Sequence, residues 1–497
     1  MEYPIGSPTC WNASNINCTA PHNGPQCSYG CTQDAAQTIT DMAAYDGGMR
    51  LFNVGGGQSS TPQAEMHAGE WKRPSAAGGA YSAACWFYGR DIYNALPTKV
   101  PVGLISTYVG GTPVQHWTSP DGLATCEGPN TWDWPKGFTD SVLWNAMVVP
   151  LLRTVHTGVV WYQGENNAAN PRNYNCSFGA MITDWRAKWS QHTDGATDPT
   201  FPFGWAQINS CGPPGSDYQN AASPGGILNP AKPPSNCGTG CAPACDAVCL
   251  GRFHEWADYG QGFTGIRYAQ TNTLSMPKTF QAVIIDTPDT SGSIHSPFKQ
   301  PVGRRLARGG LAVAYGMASA HAVDPVVAGL KLSADNTSLE VSVGGLGSKG
   351  LAAVVGARAF EVLGVCAPQP PAGTCTSAVC LCWTSTPIAS ATTTTVTVAG
   401  LPAAPQAVRY LWYISPYSIC TSAGHPAVCN ASYTPDAALL HIGGNGEERV
   451  DEQANQHRIL RPFMAPIYAL ADPIPNAVAI PGGADTLPLG PFVLPLP

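Results

Sequence analysis

The sequence predicts an α/β protein, a parallel sheet covered by helices on both faces, followed by a smaller β-rich module. Three observations predict it. Short apolar strand-like runs alternate with helical stretches from Met49 to a helix that begins near Phe298, the pattern of successive βαβ units. Three of the predicted strands run out into glycine or polar clusters, which is where open α/β sheets place their ligands. From about Asp324 the texture changes to β-branched runs punctuated by Gly and Pro, as in a sandwich or a β-rich appendage.

The elements follow in order. "MRLFNV" (49–54) is a strand, and "AYSAACWFYGRDIYNAL" is a helix whose Ala84, Tyr88, Ile92 and Leu96 repeat down one face. "VPVGLIS" (100–106) is the next strand. The alternation continues through "SVLWNAMVVPLLRTV" as a helix, "GVVWY" as a strand, "MITDWRAKWSQ" as a helix and "FPFGWAQI" as a strand. After a Cys-rich insertion at roughly 211–250 come "FTGIRYAQTNTL" as a helix and "FQAVIID" (280–286) as a strand. The predicted organisation is an α/β domain over 1–323, a β-rich domain over 324–445 and a Pro/Ala-rich tail over 446–497, without an internal repeat.

Composition narrows the function. Charged residues make up 11% of the chain and the formal net charge is −7, with no basic block to follow a phosphate backbone, so nucleic acid is not an expected partner. No run of eighteen apolar residues occurs, so no membrane span is expected. Eighteen cysteines accompany Asn-x-Ser/Thr sequons at Asn12, Asn17, Asn175, Asn336 and Asn430, which together point to an oxidising, secretory compartment. Yet the N-terminus has neither a basic nor an apolar leader region. Cys237, Cys241, Cys245 and Cys249 stand in Pro/Gly-rich surroundings at a spacing that fits no common zinc pattern, and read as a disulfide-stapled loop rather than a metal cluster.

The strand exits carry the candidate chemistry. Gly110-Gly111 follows the second strand, Gln163-Gly164-Glu165 the third, and "DTPDTSGSIHS" with His295 the last. Each alone reads equally as a turn or a loop. Jointly they supply the parts of an acyl-transfer site: freed backbone N–H groups and a side-chain amide for an oxyanion, and a histidine base that an Asp of the same loop can orient. A nucleophile is wanting, because no Gly-x-Ser-x-Gly occurs. Ser59 in "GGGQSS" follows a strand but has no helix behind it.

Four blocks, "YSAACWFYGRDIY", "VPVGLISTYVGGTPVQHW", "VVWYQGENNA" and "SGSIHSPFKQPVGRRLA", resemble the sialate O-acetylesterases, a family of SGNH-type hydrolases, in matching order and spacing. The resemblance covers roughly residues 40–320 and continues weakly through "AVRYLW". It implies an SGNH-type three-layer fold whose serine sits in a Gly-Gln-Ser-Asn-Met block at the exit of the first strand. Met1 reads as the methionine of that block, so the first strand and the nucleophile are expected to be missing from these 497 residues, and Ser59 stands on the wrong side of "RLFNV" to replace it. Carried over by position, Gly110 or Gly111 and Gln163 hold the oxyanion and His295 is the base. Relatives have an Asp two or three residues before the His, where this chain has Gly292 and Ser293; Asp289 is the expected orienting acid and Asp286 the runner-up. Another departure is Ser296-Pro297 in place of a Pro directly after the His. Glu165, Trp117 and Lys299 match frequent family positions.

The resemblance therefore implies a secreted or lysosomal serine esterase acting on an O-acetylated sugar or glycan, sialic acid in the first place, without metal or organic cofactor, and inactive as these 497 residues stand. The alternatives are an esterase of acetylated xylan-type polysaccharides, a carbohydrate-binding pseudoenzyme, and a Cys-rich structural protein whose three strand-exit clusters lie far apart.

Overall fold

The computed structural model describes residues 3–6, 32, 35–126, 140–168, 171–209, 263–287, 294–317, 325–346, 349–353, 355–357, 359–365, 381–411, 468–470, 486–489 and 491–496. Asp289 and the cysteine-rich 211–250 insertion lie outside the described residues.

The predicted parallel strands form two ladders. In one, β1 (Met49–Asn53) pairs in parallel with β3 (Val102–Ser106) and antiparallel with the short edge strand β2 (Trp71–Lys72). In the other, β4 (Val159–Trp161), β5 (Phe203–Gln207) and β6 (Thr279–Val283) run parallel in that order. Among the described residues β3 and β4 are each paired on one side only.

Both ladders share the same two helical layers, and strand alternation decides which side chain meets which layer. On β5, Phe203 and Trp205 join the aromatic cluster on α3 (Pro171–His192) and α4 (Phe263–Asn272), where Phe178, Trp185, Phe263 and Ile266 lie. Ala206 faces the opposite layer, with Phe280 of β6, Val302 and Leu306 on α5 (Lys299–Val313) and Ala84 on α2 (Ala83–Ala95). The other ladder repeats the division: Leu51 and Leu104 pack with Trp86 and Phe87 of α2, while Phe52 and Ile105 pack on the aromatic side. The periodic face read from the sequence, Ala84, Tyr88, Ile92 and Leu96, is the face α2 buries.

Helices α2 and α5 come together because glycine permits it. A Cβ on Gly303 would stand 2.3 Å from the Cβ of Phe87, and one on Gly310 2.8 Å from Tyr88 Oη. Buried Asp91 then joins the two helices through Arg90 (3.0 Å) and Arg304.

One element departs from its sequence reading. "SVLWNAMVVPLLRTV" is not a regular helix: Trp144–Val148 is a π-helical turn that passes into a 3-10 turn at Val149–Leu151. Pro150 stands at the change and has no N–H to continue the helical ladder.

The second module is a two-sheet antiparallel sandwich together with a small antiparallel sheet of β16 (Thr486–Pro488), β15 (Tyr468–Leu470) and β9 (Leu351–Ala352). One sheet of the sandwich has the order β11 (Leu381–Thr386), β10 (Phe360–Val365), β14 (Ala403–Tyr410), β17 (Phe492–Pro495). The other has the order β12 (Ile388–Ala391), β13 (Thr395–Ala399), β8 (Ser338–Gly344), β7 (Val326–Leu332). Its core alternates as a half-buried sheet should, with Leu339, Val341, Val396 and Val398 facing Phe360, Val362, Val408 and Tyr410. β17 comes from the 446–497 segment and pairs with β14, so Phe492 stacks on Tyr410 at 5.5 Å.

Candidate active site

The exits of β3 and β4 meet. After Ser106 the chain runs to Gly110-Gly111, where Gly111 has φ +66° and so takes the left-handed conformation that favours glycine. Both glycines are exposed. The turn is braced from within: Thr112 Oγ1 donates to Val109 O at 2.7 Å and accepts from Trp117 Nε1 at 3.0 Å. Trp117 is buried edge-on against Trp161 at 6.1 Å, and its carbonyl accepts from Trp185 Nε1 at 2.9 Å. Trp117 is thus tied through Thr112 to the glycine turn.

Gln163 leaves β4 toward that turn. Its Nε2 donates to Thr112 O at 3.2 Å and to Asn167 Oδ1 at 2.7 Å, and Asn166 Nδ2 donates to Gly111 O. The backbone of Gln163 is held from the other side, its carbonyl accepting from Gln270 Nε2 at 3.0 Å and Tyr174 Oη at 3.3 Å. Gly164 is required next, because a Cβ there would stand 2.7 Å from Ile208 Cγ2 and 2.8 Å from Ile266 Cγ2. The Gln163 Oε1 is buried and without a hydrogen-bond partner among the described residues.

Glu165 turns inward, and burial pushes its carboxyl up from the ordinary carboxylate range, opposed by its own backbone N–H and by the charges of Lys299 and Arg267. Lys299 is buried at the start of α5, its Nζ donating to Tyr162 Oη at 3.2 Å and lying over the rings of Tyr162 (4.7 Å) and Tyr3 (4.9 Å).

That contact brings the His295 segment to the same end of the sheet. His295 is half-buried four residues before Lys299, and neighbouring Ile294 packs on the aromatic cluster that also receives Val109, next to Gly110. Buried Ser296 Oγ accepts from Phe298 N at 3.2 Å and so shapes the entry to α5. Both carboxylate oxygens of Asp286 accept from Arg305, at 2.6 and 2.7 Å, and Arg305 also donates to Val283 O at 2.8 Å. Ser59 is locked in a local turn, its Oγ donating to Thr61 O at 2.7 Å and accepting from Gln63 Nε2 at 2.8 Å.

Sequence reasoning did not single out Asn167, Gln115, Asn173 or Gln270. Asn167 lies in the quoted "QGENN" block, four residues after Gln163, but nothing in that spacing shows that its side chain reaches back.

A parallel sheet between two helical layers is the architecture this chain shares with a carbohydrate acetylesterase. A solved structure of that kind, from Xanthomonas citri, superimposes with a TM-score of 0.55 at 26% identity, covering 78% of this chain and 72% of that one. Residues 74–210 match the family model described as carbohydrate esterase, sialic acid-specific acetylesterase. The chain is 34% identical over 300 residues to the sialate O-acetylesterases of Pongo abelii and Homo sapiens, which is 57% of this chain and 50% of each relative. It is 31% identical over 353 residues to that of Rattus norvegicus, 62% and 58% respectively. These likenesses converge on the sialic acid-specific acetylesterases, with the family match confined to residues 74–210. The chain spans about half the length of the curated relatives it matches.

Proposed function

We propose that the protein is a serine esterase that removes O-acetyl groups from sialic acid or related sugars. The observation that carries this is the joining of two strand exits: the Gln163 amide lies within hydrogen-bond reach of the Gly110–Thr112 turn, so a side-chain donor and a glycine turn border one small space. An acetyl carbonyl placed there has its developing oxyanion beside the N–H groups of Gly110 or Gly111 and the Nε2 of Gln163. Of the two Gln163 bonds, the longer one to Thr112 O is the one an oxyanion replaces.

In this reading His295 takes the proton of an attacking serine as that oxygen bonds to the acetyl carbon. The sugar oxygen then leaves with the proton from His295. Water attacks the acetyl-serine, again giving a proton to His295, and acetate departs as the serine is regenerated. Asp289 orients His295 in this reading, with Asp286, which pairs with Arg305, as the runner-up. No residue is assigned here as the serine. The sequons and the Cys126–Cys176 disulfide support a secretory or lysosomal location.

Acetate release from an O-acetylated sialoside and from acetyl-xylan, measured on the natural protein, tests the reading. Release from the sialoside, cut at least about 10³-fold by His295→Ala, is expected. Faster release from acetyl-xylan would move the substrate to plant-type polysaccharides. Glycan binding with neither release nor fluorophosphonate labelling would make it a binding protein instead.

A further inference from the structure

Gln163, Asn167, Gln115 and Asn173 form a part-buried chain of amides, and its polarity is set at Asn167 by the backbone. The Val114 N–H can only donate, and it donates to Asn167 Oδ1 at 2.9 Å. Asn167, 6% exposed, must therefore turn its Nδ2 away, and that group donates to Gln115 Oε1 at 2.8 Å. Gln115 Nε2 in turn donates to Asn173 Oδ1 at 2.8 Å. With its Oδ1 fixed by Val114, Asn167 also faces Gln163 as an acceptor, at 2.7 Å. Gln163 consequently directs its amino group, not its carbonyl, at Asn167 and at Thr112 O. Turning that amide over would place Gln163 Oε1 against two acceptors, leaving both ends of the contact unpaired in a part-buried site.

We infer that Asn167 is a positioning residue for the oxyanion site: it reads the direction of the Val114 N–H and passes it to Gln163, so that the Nε2 of Gln163 faces the Gly110–Thr112 turn. Asn167 touches no reacting atom and acts through Gln163. The inference rests on the proposed oxyanion role of Gln163 for its kinetic consequence but not for its structural one.

Asn167→Leu removes the acceptor, and Asn167→Asp keeps it while Gln115 can turn its own amide to donate. Gln115→Met is the control, because it deletes the two side-chain bonds of the chain that do not reach Gln163. In crystal structures of the variants, Asn167→Leu is expected to release the Gln163 amide from Thr112 O, whereas Asn167→Asp and Gln115→Met leave it in place. An unmoved Gln163 in Asn167→Leu overturns the inference whether or not the protein releases acetate. In turnover, Asn167→Leu is expected to lower kcat about 10- to 100-fold with KM within about threefold, and Asn167→Asp to stay within about threefold of the parent. In a Gln163→Ala background, Asn167→Leu should cost less than about twofold. Equal losses in both backgrounds, or equal losses in Asn167→Leu and Gln115→Met, would show a merely structural part. Should Asn167→Leu fail to fold, Asn167→Ala enters the same comparisons. A Gln163→Ala variant with unchanged kcat would instead remove Gln163 from the oxyanion site, leaving the inference to the crystal structures.

Discussion

His156 is a residue whose surroundings make it a stability sensor rather than a catalyst. Its ring lies edge-on between Trp189 (4.9 Å) and Phe201 (4.6 Å), and both ring nitrogens are buried without hydrogen-bond partners among the described residues. Burial lowers its pKa from 6.5 to about 4, because an imidazolium there would lose its hydration. The folded pKa lies below the unfolded one, so the contribution is fully present above pH 6.5 and is lost as pH falls through about 4. His156→Phe is therefore expected to flatten the decline of Tm over that interval, and thermal melts at several pH values check it. An identical decline in the variant would remove His156 as its source. At the same scale, the strand-exit residues Gly110, Gly111, Gln163 and His295 were legible as a set of polar and glycine positions. The Asp286–Arg305 pair was not, because nothing in sequence spacing says that a helix nineteen residues on returns its arginine to that carboxylate.

Among the elements, α5 shows how a helix can be placed by what it lacks. Its Gly303 lies where any Cβ would meet the Cβ of Phe87 at 2.3 Å and backbone atoms at 2.8 Å, so the neighbour cannot yield by rotating a flexible tip. Gly303→Ala is expected to destabilise the protein by about 1–3 kcal/mol despite alanine's better helix propensity, measured by chemical denaturation. A stabilised variant would mean that α2 and α5 can part without cost. The Cys126–Cys176 disulfide ties the loop after the short helix Pro120–Ala124 to α3 across 50 residues. Replacing both cysteines by alanine should cost up to about 4 kcal/mol through loop entropy in the unfolded chain, and an unchanged denaturation midpoint would count against that origin. Element existence and order were readable from periodicity alone. The π-helical turn at 144–148 was not, since the run up to Pro150 has helical spacing.

At the scale of the whole molecule, the α/β domain is built from two parallel ladders under common helical layers, not hydrogen-bonded to each other among the described residues. β5 has a partner on each side and is buried throughout, whereas β3 and β4 each present one edge unpaired among the described residues. Such edges open more readily and invite association. Hydrogen exchange is expected to be at least about tenfold faster at residues 102–106 and 159–161 than at 203–207. Equal protection across all three strands would show that the two ladders open as one unit. The sandwich, by contrast, closes its own core, with β17 completing one sheet from the far end of the chain.

The sequence by itself determined the class of fold, the order of strands and helices, the family resemblance and the three strand exits where chemistry gathers. These follow from period, turn residues and local apolar runs, all of which are short-range properties of the chain. Only the tertiary structure decided which polar side chains join those exits. Gln163 faces the glycine turn because Val114, Asn167 and Gln115 fix one another's amides across more than 50 residues. Asp286 is engaged because α5 packs back onto β6. Hydrogen-bond direction between distant segments depends on geometry that only packing creates, and no local pattern encodes it.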